Sequence, residues 1–222
     1  MSPAYFLTGT DTEIGKTFIT CALLYRAGLD GLKAAGLKPV AAGTDAAGLN
    51  DDVEAIRAAS NVELPRQIIN PYCFAPAVAP HIAAAEEGRE IDFSLIKQAS
   101  ETASEQADFV IIEGVGGFRV PLGVDRDSAD LAVFLGLPVI LVVGLRLGCI
   151  SHALLTVEAI KSRGLQLAGW VANSIDPHMQ RQAENLATLV ELIDAPLLGC
   201  VPYLPTGKPL EAAGKLKLPA EI

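Results

Sequence analysis

Six short apolar runs recur along the chain: AYFLTG, AAGLKPVAAG, DFVIIEGVGG, LPVILVVGL, LAGWVANS and PLLGCVPYLP. They are rich in Val, Ile and Leu and do not alternate with polar residues. Strands of this kind are buried on both faces, as in a parallel sheet. Between them lie stretches with helical spacing: KTFITCALLYRAGLDG, DDVEAIRAAS, DFSLIKQASETASEQA, SHALLTVEAIKSRG and MQRQAENLATLVELID. Strand and helix taken in turn predict crossover units, hence an α/β fold with a doubly wound, mainly parallel sheet flanked by helices. The chain has 222 residues, 50% of them hydrophobic, and no repeat, low-complexity tract or linker divides it. The expectation is one α/β domain over residues 1–222. The last stretch, PTGKPLEAAGKLKLPAEI, is richer in Pro, Gly and Lys. Residues 205–222 read as a frayed tail or as a loop that closes on the nucleotide side of a ligand.

Charge and cysteine usage narrow the partners. Seventeen basic against 26 acidic residues give a net charge of −9, which argues against nucleic acid, because backbone binding needs a surplus of Lys and Arg. The segment MSPAYFLTGTDTEIGKT has no basic n-region and no signal-type apolar core, and no apolar run reaches the ~18 residues of a membrane span. Cys21, Cys73, Cys149 and Cys200 lie far apart without a C-x-x-C pair, and read as reduced, small apolar residues of a cytoplasmic protein.

The stretch GTDTEIGKT, between an apolar run and an apolar helix, ends in Gly15-Lys16-Thr17 as a phosphate-binding loop does. Its spacing is unusual: five positions before Gly15 stands Thr10, and Gly9 is one residue too far. The strand–loop–helix context nevertheless suits a cradle of backbone N–H groups from Thr10, Asp11, Thr12, Glu13, Ile14, Gly15, Lys16, Thr17 and Phe18 around phosphate oxygens. Lys16 would reach the terminal phosphates and the Thr17 hydroxyl would bind Mg²⁺. A carboxylate for that ion is offered by Glu113, at the end of the apolar run FVII and before a glycine-rich turn. Asp51 and Asp52 offer others, just before a helix; helix capping is the bland alternative for them, as a solvated strand-end acid is for Glu113. Lys38, set in an apolar segment and followed by Pro39, would neutralise a phosphate or a substrate anion, or else snorkel to the surface. His81 and His152 show no acid partner and read as structural or rim residues. There is no G-x-S-x-G elbow, so a serine nucleophile is not supported.

These residues resemble one family, ATP-dependent dethiobiotin synthetase. The matching segments are TGTDTEIGKT, GLKPVAAG, NPYCFAPAVAPH, IIEGVGG, LPVILVVGLRLGCISHALLT and AGWVANS, in the family's order and reaching to about Pro202. The resemblance implies a fold like that of the P-loop NTPases, and the family's phosphate loop carries the longer spacing seen here. It implies that ATP and Mg²⁺ are used to join CO₂ (or bicarbonate) to 7,8-diaminopelargonate. One amine becomes a carbamate, a carbamic–phosphoric anhydride forms, and the second amine closes the ring to give dethiobiotin, ADP and phosphate. Lys16, Lys38 and Thr12 would be the catalytic groups, and Thr17, Asp52 and Glu113 would hold Mg²⁺. Asn173 would recognise adenine, with Pro202, Tyr203, Leu204 and Glu211 contacting adenine or ribose. Thr12, Lys38, Ala42, Gly116 and Gly117 would line the substrate, the glycines (with Gly114) allowing close backbone approach. Gly148, Cys149, Ile150 and Ser151 would hold the substrate carboxylate for the neighbouring subunit of a homodimer, Ser151 capping a helix. Two positions depart from the family: Ala42 stands where a serine is usual, and Ser151 where an Asn is.

Two other readings share the phosphate loop. A partition or cobyrinate-amidation ATPase carries a second lysine inside the loop, where this chain has Thr10, Asp11 and Thr12. A non-enzymatic, ATP-binding dimeric regulator would keep Lys16 and Thr17 but need neither Lys38 nor LGCISH.

Overall fold

The computed structural model describes residues 3–205 and 207–220. In chain order, β1 (Ala4–Gly9) is followed by α1 (Lys16–Leu29), β2 (Ala34–Leu37), β3 (Val40–Ala42), α2 (Asp51–Ala59), α3 (Arg66–Ile69), β4 (Tyr72–Phe74) and α4 (Pro80–Glu86). Then come α5 (Phe93–Ser104), β5 (Phe109–Glu113), β6 (Pro121–Gly123), β7 (Arg126–Asp127), α6 (Ser128–Leu135) and β8 (Val139–Leu145). The rest is α7 (Cys149–Ser162), β9 (Leu167–Ser174), α8 (Gln182–Leu192), β10 (Leu197–Val201) and α9 (Pro209–Ala213).

Six strands form one sheet in the order β10-β9-β8-β1-β5-β2, and every neighbouring pair is parallel. The non-alternating sequence of these strands has a direct cause: successive side chains enter two different cores. Tyr5 and Leu7, Phe109 and Ile111, and Ile140 and Val142 pack on one face with Ile19, Leu23 and Leu24 of α1. Phe6, Val110, Ile112, Leu141 and Val143 pack on the other with Phe93 and Ile96 of α5 and Val157 and Ile160 of α7. With helices on both faces, no strand position can be polar without being buried. The central strands end in steps on one edge of the sheet: β5 at Glu113, opposite Leu7; β1 at Gly9, opposite Val142; and β8 three residues further on, at Leu145. The three loops leaving those ends therefore meet at the edge where such sheets bind ligands.

The run AAGLKPVAAG is not one strand. It breaks at Lys38-Pro39, and only β2 belongs to the main sheet; β3 pairs with β4 in a separate two-stranded ladder. Pro39 has no N–H for a ladder, and its carbonyl instead accepts from Tyr72 N at 2.9 Å. Neither is the described part of the tail frayed. Helix α9 packs on α1, with Ala212 buried. Beyond it Leu216 forms an antiparallel bridge with Gly199, and Lys217 N donates to Leu198 O at 2.8 Å. Residues 206, 221 and 222 of the expected tail lie outside the described residues. At the opposite margin, Ala34 N donates to Asn61 Oδ1 at 2.6 Å and Gly36 N to Ser60 Oγ at 3.0 Å. Among the described residues no helix is long and apolar enough to cross a membrane.

Candidate active site

The loop between β1 and α1 is held from beneath. Thr10 N donates to Val142 O at 3.0 Å, and Ile14, only 1% exposed, tucks its side chain under the loop. A Cβ on Gly9 would lie 2.7 Å from Ile14 Cδ1 and 3.0 Å from Lys16 Cγ. With Ile14 folded inward, position 9 has no room for a side chain, which accounts for a glycine there. Glu13 and Gly15 both adopt positive φ, 57° and 82°. At Gly15 a Cβ would come within 2.4 Å of Asn173 Nδ2. No side chain caps α1, so its first-turn N–H groups are left for an anion. Asn173, at the end of β9, has a task that its sequence context does not reveal: its buried Nδ2 donates to Ile14 O at 2.9 Å and braces the loop.

Glu113 is the hub of the site and is 1% exposed. Its Oε1 accepts from Lys38 Nζ at 2.6 Å and from Thr17 Oγ1 at 2.7 Å; its Oε2 accepts from Thr20 Oγ1 at 2.5 Å. Lys38 Nζ also donates to Gly114 O at 3.1 Å and lies 3.4 Å from Asp52 Oδ2. Lys38 is no snorkelling residue, since it is 4% exposed. Burial alone would lower its pKa, but Glu113 and then Asp52 outweigh it and hold the ammonium above its ordinary range. Lys16 is 7% exposed, and its Nζ donates to Asp11 O at 2.8 Å. With no carboxylate in contact, burial and then the neighbouring Lys38 pull its pKa down to about 8.

A cleft of about 830 Å³ opens above this cluster. Thr12, Glu13, Gly15, Lys16, Thr17, Phe18, Lys38, Ala42, Asp52 and Gly116 line it. One wall is apolar, from Ala77, Val78, Val115 and Val120. Gly117 sits behind it, where a Cβ would be 3.7 Å from Gly9 O. A second groove of about 720 Å³, lined by Glu54, Arg57, Asn61 and Glu63, holds none of the converging groups. The remaining residues expected at the site do not reach the cleft of their own chain. Pro202 and Tyr203 are exposed beyond β10, Leu204 is half-buried, and Glu211 is exposed on α9. Gly148 and the first turn of α7 stand apart, although Arg146 just before them forms an ion pair with Asp11 of the phosphate loop.

Two capping expectations are corrected. Neither Asp51 nor Asp52 caps α2; Asn50 does, accepting from Val53 N at 3.2 Å, while its amide donates to Gly43 O at 2.7 Å. That leaves Asp52 in the first turn, free to face Lys38. Helix α7 begins at Cys149 with Gly148 (φ 93°) as its cap, so Ser151 is the exposed third residue of the helix and caps nothing. Cys149 is buried and Ile150 half-buried in the same turn.

Nucleotide and metal fit the donors present. Among the described residues no three His, Cys, Asp or Glu side chains converge as a ready-made metal site. A hard cation would use the Thr17 hydroxyl, one or two carboxylates and phosphate oxygens, the manner in which Mg²⁺ is usually held. The glycine-lined cradle and the cationic floor of Lys16 and Lys38 suit the phosphates.

The family model described as an AAA domain matches residues 3–209. The septum site-determining protein MinD from Pyrococcus horikoshii, complexed with Mg-ADP, superposes with a TM-score of 0.57 at 18% identity, covering 95% of this chain and 86% of its own. A ParA family ATPase from Chlorobium tepidum gives 0.56 at 12% identity, covering 96% and 93%. These two likenesses establish a P-loop NTPase fold and nothing finer. The ATP-dependent dethiobiotin synthetase BioD of Aromatoleum aromaticum is 62% identical over 219 residues, 97% of each chain. The chain belongs to the ATP-dependent dethiobiotin synthetase family.

Proposed function

We propose that the protein is an ATP- and Mg²⁺-dependent cyclo-ligase that forms dethiobiotin from 7,8-diaminopelargonate and CO₂, with release of ADP and phosphate. The observation that carries this reading is the placement of Lys38: a second buried cation beside the phosphate loop but outside it, fixed by Glu113. The reaction brings two anions together, the carbamate of one substrate amine and the terminal phosphate of ATP. Lys16 and Lys38, on the floor of one cleft, lower that repulsion and stabilise charge that develops as the carbamic–phosphoric anhydride forms. Thr12, at the cleft mouth, hydrogen-bonds the amine or carbamate. Thr17, Asp52 and Glu113 are the residues that would hold Mg²⁺, which supplies charge neutralisation on the phosphates. The protein forms no covalent intermediate, so orientation accounts for much of the rate. Asn173 and the segment Pro202–Leu204, with Glu211, are assigned to adenine and ribose.

Gly148, Cys149, Ile150 and Ser151 are assigned to the substrate carboxylate in the partner subunit of a homodimer. Two features support this: the first turn of α7 lies outside its own cleft, and its cap carries no side chain, leaving N–H groups for a carboxylate. The substrate chain would run along the apolar wall. The test is ADP release by the purified protein. It should require diaminopelargonate and bicarbonate together; release that ignores either one overturns the assignment.

A further inference from the structure

We infer that Thr20 is a positioning residue of this site, acting through Glu113 on Thr17 and Lys38. The inference rests on the reading of the cleft given above. Among the described residues, five threonines lie in helices. Those in α5, α7 and α8 (Thr102, Thr156 and Thr188) turn their hydroxyls back to the carbonyl four residues earlier, at 2.7–2.9 Å, the ordinary habit of a helical threonine. Thr20 does not. Fully buried, its hydroxyl crosses to a carboxylate 93 residues away, at 2.5 Å. It stands one turn beyond Thr17 on the same face of α1, so the two hydroxyls grip the two oxygens of one carboxylate. Lys38 and Thr17 both bond Oε1, and Thr20 is the donor to Oε2.

The division of labour follows from geometry. A carboxylate held at one oxygen can swing about its own axis. Held at both, it presents Oε1 at a fixed point, and that point sets where the Lys38 ammonium sits. It also fixes the Thr17 hydroxyl: with its proton committed to Glu113, its lone pairs are turned outward, toward a cation on the phosphates. Outer partners of this kind alter metal affinity or activity by roughly 10–100-fold when removed.

The experiment compares wild type with Thr20→Val, which keeps shape and loses the donor, and Thr20→Ser, which restores it. ADP affinity is measured by calorimetry with and without Mg²⁺, beside the Mg²⁺ midpoint of turnover. Thr20→Val should cut the Mg²⁺-dependent gain in ADP affinity and raise the Mg²⁺ midpoint about 10-fold, and Thr20→Ser should recover most of both. A folded Thr20→Val protein with wild-type Mg²⁺ dependence, merely less stable, overturns the inference. If Thr20→Val does not fold, Thr20→Cys keeps the volume with a weaker donor. A shifted midpoint there supports positioning and an unshifted one refutes it. Wild-type protein without diaminopelargonate-dependent turnover would instead refute the proposed function, so the two failures are distinct.

Discussion

Lys16 should take up a proton when nucleotide binds. In the free protein it is buried, faces Lys38 and has no carboxylate in contact, which sets its pKa near 8 against 10.5 for an ordinary lysine. That difference corresponds to roughly 3 kcal/mol between its two protonation states. A bound triphosphate supplies the missing negative charge and restores the pKa to about 10.5 or above. Uptake should then be ~0.1 proton at pH 7, ~0.5 at pH 8 and ~0.9 at pH 9. Between pH 7 and pH 10 affinity should weaken roughly 70-fold, because the neutral lysine must first be protonated. Calorimetry with Mg²⁺ and a non-hydrolysable ATP analogue, in buffers of different ionisation enthalpy, reads the uptake directly; omitting the amine substrate keeps its own protons out. For stability the sign is opposite to that of a group gaining a partner. Between pH 8 and 10.5 the unfolded chain keeps the proton that folded Lys16 has lost. The free protein therefore gains stability as pH rises through that window, and Lys16→Met removes the gain. A binding enthalpy independent of buffer at pH 9, or uptake that persists in Lys16→Met, refutes the reasoning.

Removing the Lys38 ammonium strands a buried carboxylate, so Lys38→Met should cost about 3 kcal/mol, or roughly 6–12 °C in Tm. Lys38→Met/Glu113→Gln should be less destabilised than the sum of the single variants by at least ~1 kcal/mol in urea unfolding, and additivity would mean that the pair is not coupled. Gly15→Ala meets both a positive φ and the Asn173 amide at 2.4 Å. Nucleotide affinity measured by calorimetry should fall roughly 5–30-fold, from about 1–2 kcal/mol of backbone strain alone. For the shared site, Lys16→Ala and Ser151→Glu should each be inactive, yet regain activity when mixed and allowed to exchange subunits. No recovery after verified exchange would assign α7 to its own chain. Ser151 is the better probe than Cys149, whose side chain is buried.

The central strands were legible because their composition reflects burial on two faces, and Gly15-Lys16-Thr17 because apolar residues frame it on both sides. Glu113 stood out for the same reason, as an acid ending an apolar run. Other features were hidden by long-range causes. Nothing local to AAGLKPVAAG says that Lys38 turns toward a carboxylate 75 residues on. Thr20 resembles any helical threonine until Glu113 is brought opposite. Asp caps as well as Asn does, so sequence alone does not place the cap of α2 at Asn50; only the approach of Lys38 shows why Asp52 is used otherwise. The ladders of β3 with β4 and β6 with β7 are too short to leave a periodicity.

The two margins of the main sheet have a bearing on solubility. An open strand edge is a template for pairing with another chain. Here β2 gives its amides to the side chains of Ser60 and Asn61, and β10 is closed by the segment around Leu216 and Lys217. The C-terminal residues thus act as a guard against edge-to-edge joining, whatever they contribute to nucleotide. A chain cut after residue 205 would keep every group of the Glu113 cluster and still present β10 as a free acceptor of foreign strands.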